Sequence, residues 1–134
     1  DSKTLLVNIL SFGYKYGIPV DADLVMDCRF IPNPHWIPEL RPLTGKEKSV
    51  SHYVLNAENV PEFLSNYEAL FGNVAKGFIH EGRKYLTLAV GCTGGKHRSV
   101  AVAEELTHRL NGMNIGEDNK IVANAIHRDL GKEL

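Results

Sequence analysis

Apolar positions along the chain fall in short blocks separated by glycine, proline and polar clusters. Leu5-Leu6-Val7-Asn8-Ile9-Leu10 is a nearly unbroken apolar run that stops at Ser11-Phe12-Gly13, as expected of a buried strand. Gly13, Gly17 and Pro19 interrupt the pattern before Leu24-Val25-Met26-Asp27-Cys28, a second and shorter strand. Val60, Phe63, Leu64, Tyr67, Leu70, Phe71, Val74 and Phe78 then recur at three- and four-residue steps, which predicts an amphipathic helix. Asn59-Val60-Pro61-Glu62 reads as the capping box that opens it, and Glu81-Gly82 closes it. Tyr85 to Val90 predicts a third strand. A second helix is predicted from about His97 to Leu110, with Val102, Leu106 and Leu110 inward and Asn111-Gly112 as its stop. Ile121 to Ile126 predicts the last strand. Strands alternating with helices imply an α/β domain spanning residues 1–134. It should have a mainly parallel sheet of about four strands and helices on both faces.

Residues 29–48 resist assignment. Pro32, Pro34, Pro38 and Pro42 forbid a long helix there. A long irregular segment inside a small domain is usually functional. Phe30, Ile31, Trp36, Ile37 and Leu40 predict that it is packed.

With 134 residues the chain suits one core. Its net charge of −1 gives no global attraction to nucleic acid or membrane, so any anion recognition must come from local clustering. No apolar run approaches the ~20 residues a membrane helix needs, and no leader peptide is visible. Cys28 and Cys92 stand far apart and suggest no disulfide framework, so a reducing cytoplasm is expected. The histidines show no metal-ligand spacing, and no Walker-type phosphate loop is present. Neither a metal nor a nucleotide cofactor is therefore expected. Opening on Asp1 rather than Met is expected of a piece of a longer protein.

Chemistry concentrates in Gly91-Cys92-Thr93-Gly94-Gly95-Lys96-His97-Arg98-Ser99, between a predicted buried strand and a predicted helix. In open α/β sheets, ligands bind beyond the carboxyl ends of the strands. Gly94 and Gly95 allow a tight turn and close backbone approach. Free N–H groups at the helix start, the helix dipole, and the side chains of Lys96, His97 and Arg98 together make an anion site, for which phosphate is the natural guest. A bare packing turn is the alternative, but consecutive cationic residues at a helix start oppose the dipole unless an anion is bound there.

A second reading treats Cys92, five intervening residues and Arg98-Ser99 as the cysteine-phosphatase pattern, with Cys92 as nucleophile and Arg98 as clamp. Gly91 stands where such phosphatases usually carry histidine, and the general acid would have to be Asp23 or Asp27. Asp27, Arg29, His35 and Arg41 lie at or beyond the end of the second strand and are candidates for the same crevice. His35 could meet a phosphate or sugar hydroxyl, or simply pack on Trp36. Asp27 could bind sugar hydroxyls or orient Arg29. Lys15 reads as a solvated surface lysine with access to the same anion.

Several blocks resemble the C-terminal domain of the RapZ/YvcJ family. They are Ser11-Phe12-Gly13-Tyr14-Lys15-Tyr16-Gly17-Ile18-Pro19, Asp21-Ala22-Asp23, Asp27-Cys28-Arg29-Phe30-Ile31-Pro32-Asn33-Pro34-His35, Leu40-Arg41-Pro42-Leu43-Thr44-Gly45, the Gly91–Ser99 stretch and His127-Arg128-Asp129. The resemblance implies a fold similar to a phosphofructokinase subdomain. It also implies an N-terminal P-loop domain, with the family's ATPase and GTPase activity, that is absent from this chain. In enterobacterial members the corresponding domain binds a small regulatory RNA and presents it to an RNase, senses glucosamine-6-phosphate and self-associates. The family pocket falls here on His35, Thr93, Gly94, His97 and Arg98, with Cys92 beside them. The expected partners are thus a phosphorylated sugar or other phosphate anion, a small RNA with its RNase, and further copies of the chain in a homo-oligomer. The end of the chain, Asp129 to Leu134, lacks the basic tail of enterobacterial members, so metabolite sensing carries over more fully than RNA binding.

Overall fold

A computed structural model describes residues 3–132. Strands β1 (Thr4–Gly13), β2 (Leu24–Asp27), β3 (Tyr85–Cys92) and β4 (Lys120–His127) form one sheet. Its order is β2-β3-β1-β4, and every pairing is parallel. Helices α1 (Lys48–Leu55), α2 (Val60–His80) and α3 (Arg98–Leu110) complete the domain. The single α/β domain and its four-stranded parallel sheet agree with the sequence reading.

The helices depart from it in one respect. Leu5, Val7, Ile9, Leu86, Leu88, Val90 and Ile121 point to one face of the sheet and share a core with Val50, Val54, Leu64, Phe71, Ala101, Val102, Leu106 and Leu110. All three helices therefore pack on that face rather than on both. The two helix-bearing crossovers, β2 to β3 and β3 to β4, step in the same direction across the sheet, and right-handed crossovers then land on the same side. On the other face Leu6, Val25, Tyr85, Val122 and Ile126 remain substantially exposed. Phe12 and Tyr14 cover its carboxyl end, lying over Gly91.

Helix α1 was not apparent in the sequence. The turn before it is fixed by side chains: the Glu47 carboxylate accepts from the Thr44 N–H at 2.9 Å and the Thr44 hydroxyl at 2.8 Å. The Thr44 hydroxyl in turn accepts from the Lys46 N–H. Neither Glu47, the N-cap of α1, nor Asn59, the N-cap of α2, makes a side-chain cap. Asn59 sits in the left-handed region (φ 73°), where asparagine is tolerated, and turns the chain between α1 and α2. The 29–48 segment is only partly packed. Ile31 and Pro34 are buried, Leu40 and Leu43 lean on the core, but Phe30 and Trp36 are exposed.

The end of β1 meets the β3–α3 turn backbone to backbone. A methyl group at Gly13 would lie 2.5 Å from the Gly94 carbonyl carbon and 2.8 Å from the Gly95 nitrogen. Gly13→Ala should therefore cost about 1–3 kcal/mol in urea unfolding. Gly77→Ala, in α2 with open space around it, should add up to about 1 kcal/mol.

Candidate functional site

The carboxyl ends of β1, β2 and β3 open onto a cavity of about 380 Å³. Its floor and one wall are the turn from Cys92 to Arg98. Gly95 adopts φ +77°, which carries the chain sharply from β3 into α3. The main-chain N–H groups of Gly94, Gly95, Lys96, His97 and Arg98 donate no hydrogen bond to any described residue. Gly95, His97 and Arg98 are buried, so these amides carry a desolvation cost that a ligand or water must offset. They stand at the positive end of the α3 dipole.

Arg98 is 5% exposed and fixed by its neighbours. Its Nη1 donates to the carbonyls of Arg29 (3.1 Å) and Ile31 (2.9 Å), and Nη2 donates to the Thr93 hydroxyl at 3.3 Å. No carboxylate pairs with it among the described residues, and its Nε–H and one Nη2–H carry no protein partner. His97 turns the other way, toward the loop above, with Nε2 donating to the Arg41 carbonyl at 3.1 Å. Burial pushes its pKa down from 6.5 against the opposing pull of that bond, so His97 is neutral at pH 7 and serves as a brace rather than a cation. The Gly45 N–H donates to the Lys96 carbonyl at 2.9 Å, tying the same loop to the turn.

Lys96 and Arg41 line the cavity, as do His35, Thr93, Gly94 and Cys92. Arg41 is held by its Nε on the His35 carbonyl at 2.6 Å. Lys15, Asn33 and Trp36 also line it. The sequence reading left Lys15 as a surface residue and did not assign Asn33 or Trp36. A lone tryptophan in a proline-rich loop beside His35 was the available signal. Gly95 and Ser99 lie behind the turn rather than on the cavity wall.

Asp27 and Arg29 are not brought into the cavity. They pair with each other at 2.7 Å, and the Arg29 guanidinium stacks on the Tyr14 ring, 3.7 Å from its centre. Arg29 hydrogen bonding holds the Asp27 carboxyl below its ordinary value, against burial, so it stays ionised. Asp23 is bound to Arg83 and the Thr87 N–H at the far end of the sheet. Among the described residues the cavity lining thus contains Lys15, Arg41, Lys96 and Arg98 and no acidic residue. Two other cavities, of about 290 and 400 Å³, run along α2 beside residues 113–119, where Lys76 is accompanied by Glu117 in one and Glu68 in the other.

Cys92 is 3% exposed. Its Sγ donates to the Ser99 hydroxyl at 3.1 Å and accepts from the Ser99 N–H at 3.4 Å. The sulfur is therefore engaged with the first turn of α3.

These features place an unpaired row of amides and a group of cations at one strand-to-helix turn, and comparison with known proteins gives that turn a context. The model of the RapZ C-terminal domain matches residues 5–131. The chain belongs to this family. It is 56% identical over 96% of its length to a nucleotide-binding protein of Acidothermus cellulolyticus. It is 58% identical over 95% of its length to a nucleotide-binding protein of Saccharopolyspora erythraea. The chain spans 41% of the length of the first and 42% of the second. Among the described residues no helix is long and apolar enough to cross a membrane.

Behind the turn, the Asp129 carboxylate is buried and accepts from the Gly13 N–H at 2.7 Å, from Arg128 at 2.8 Å and from Lys132 at 2.8 Å. Its β-carbon packs against Gly95. Burial alone pushes this carboxyl up, but Arg128, the Gly13 N–H and Lys132 outweigh it and hold the pKa down at about 2, against an ordinary 3.8. The contribution is complete above the unfolded value and is lost as pH falls from 3.8 toward 2. Asp129→Asn should lose on the order of 2 kcal/mol at pH 7 and flatten the acid limb of a urea-stability profile.

Proposed function

We propose that this domain is a non-catalytic sensor of a phosphorylated metabolite, with a phosphorylated amino sugar such as glucosamine-6-phosphate as its ligand class. The observation that carries the reading is the row of amides from Gly94 to Arg98 without partners among the described residues, set beside Arg41, Lys96 and Arg98 with no described acid on the cavity wall. Such a site favours a guest with two negative charges and several acceptor oxygens. Thr93, His35 and Arg98 would touch the phosphate or its neighbouring hydroxyls. Arg41 and His97 would hold the rim.

Relatives bear the name nucleotide-binding protein. This chain has no Walker-type run, so nucleotide binding is assigned to the part of those proteins outside the matched length. Ligand occupancy would bias association with further copies of the chain and with an RNA–RNase partner. Both cysteines are buried and free, which fits the reducing cytoplasm proposed as its location.

A cysteine-phosphatase role has one favourable observation, the Ser99 hydroxyl and N–H on the Cys92 sulfur. Against it stand the burial of that sulfur and the lack, among the described residues, of a cavity-lining carboxylate to protonate a leaving group. Para-nitrophenyl phosphate should show equal, negligible turnover with wild type and Cys92→Ser. Turnover abolished by Cys92→Ser would restore the enzyme.

Calorimetry with glucosamine-6-phosphate tests the sensor directly. Arg98→Ala should weaken binding by about 1.5–3 kcal/mol. Because Arg98 also holds the 29–31 loop, Lys96→Ala serves as a partner variant without that structural duty. It should weaken binding more at low salt than at high salt. No heat with wild type at millimolar ligand defeats the proposal.

A further inference from the structure

The cationic turn accounts for a phosphate but not for the rest of the cavity. Trp36 is the chain's single tryptophan, lies 73% exposed, and lines the same cavity as Lys96 and Arg98. Such an exposed indole offers a broad apolar face and a polar N–H tip to a ligand in that cavity. Its position is not slack. Pro34 begins a short 3-10 turn, the Asn33 side chain accepts from the His35 N–H at 3.0 Å, and the Ile37 N–H returns to the Pro34 carbonyl. The His35 imidazole packs against the indole edge to face, with ring centres 4.9 Å apart. Arg41, by gripping the His35 carbonyl, locks this turn to the opposite rim. A large aromatic surface is thus held rigidly at the mouth of an anion cradle. Beside it stand an imidazole and the Asn33 amide, whose Nδ2 donor has no partner among the described residues.

We infer that Trp36 is a specificity-determining residue of this site and that the ligand is a phosphate ester carrying a ring, whose flat face rests on the indole while its phosphate enters the Gly94–Arg98 turn. This rests on the anion-sensor reading above and adds what that reading leaves open, namely how the site tells an organic phosphate from the bare ion. A few polar groups around an apolar platform are the usual means of fixing a ring's orientation. The ring can be a pyranose, offering its C–H face, or a nucleobase, offering its π-face. Asn33 and His35 would meet its hydroxyls or edge.

The single tryptophan makes the test direct. The chain is titrated with inorganic phosphate, with glucosamine-6-phosphate and with adenosine monophosphate, followed by Trp36 fluorescence and by calorimetry. Wild type is compared with Trp36→Ala and Trp36→Phe. At least one ring-bearing ester should perturb the emission while inorganic phosphate leaves it nearly unchanged. That ester should bind about tenfold more weakly to Trp36→Ala and within about threefold of wild type to Trp36→Phe, with inorganic phosphate affinity held in both. Which ester responds identifies the ring. If the esters bind but Trp36→Ala weakens none of them, or weakens phosphate equally, the platform is refuted and the anion cradle stands. If neither phosphate nor either ester binds wild type, both readings fall. Trp36 is exposed, so its replacement does not threaten the core.

Discussion

Two backbones pressed together without side chains between them set the geometry of this domain's mouth. Gly13 at the end of β1 and Gly94-Gly95 after β3 approach so closely that a β-carbon on either side would collide with main chain. Asp129 holds the contact from behind, accepting the Gly13 N–H and lying against Gly95. Its charge is balanced by Arg128 and Lys132, so a buried carboxylate here is paired and hydrogen-bonded rather than isolated. The Gly94–Arg98 amides keep their direction because β1, β4 and the segment after β4 all converge on that turn.

From this constraint the electrostatics follow. A turn of this shape leaves its N–H groups without protein partners among the described residues, to be met by water or a ligand. The described side chains that line the cavity add positive charge and no negative charge. His97 takes no part in that charge. Burial keeps it neutral, and it joins Gly45 and Arg98 in fastening the loops around the turn.

Much of this was legible in the sequence because it depends on local pattern. The apolar runs at Leu5–Leu10 and Tyr85–Val90 can be little else than strands, and the steps from Val60 to Phe78 show a helix. The glycines of the β3–α3 turn mark by composition alone the sharp passage from strand to helix that the structure shows at Gly95. What escaped depends on relations between segments. Helix α1 is short and buries only Val50 and Val54, too few for a period to emerge, and its N-cap Glu47 makes no side-chain cap that a sequence signature would reveal. Asn59 carries the residue type of a cap but the backbone of a turn. Asp27 and Arg29 sit at the right end of β2, yet adjacency let them satisfy each other, and Tyr14 captured the guanidinium. Placing all helices on one face required the strand order, which no local window contains.

That strand order also bears on how the chain acquires its shape. β1 lies between β3 and β4 in space, although it precedes both in sequence, and its partners begin only at Tyr85 and Lys120. This interior strand is synthesised before either partner; both its edges stay open until Tyr85 and beyond emerge, and one of them until Lys120 and beyond. Sheet assembly is therefore dominated by distant contacts and late closure, and the interval before β3 arrives is when Leu5 to Leu10 is most open to wrong partners.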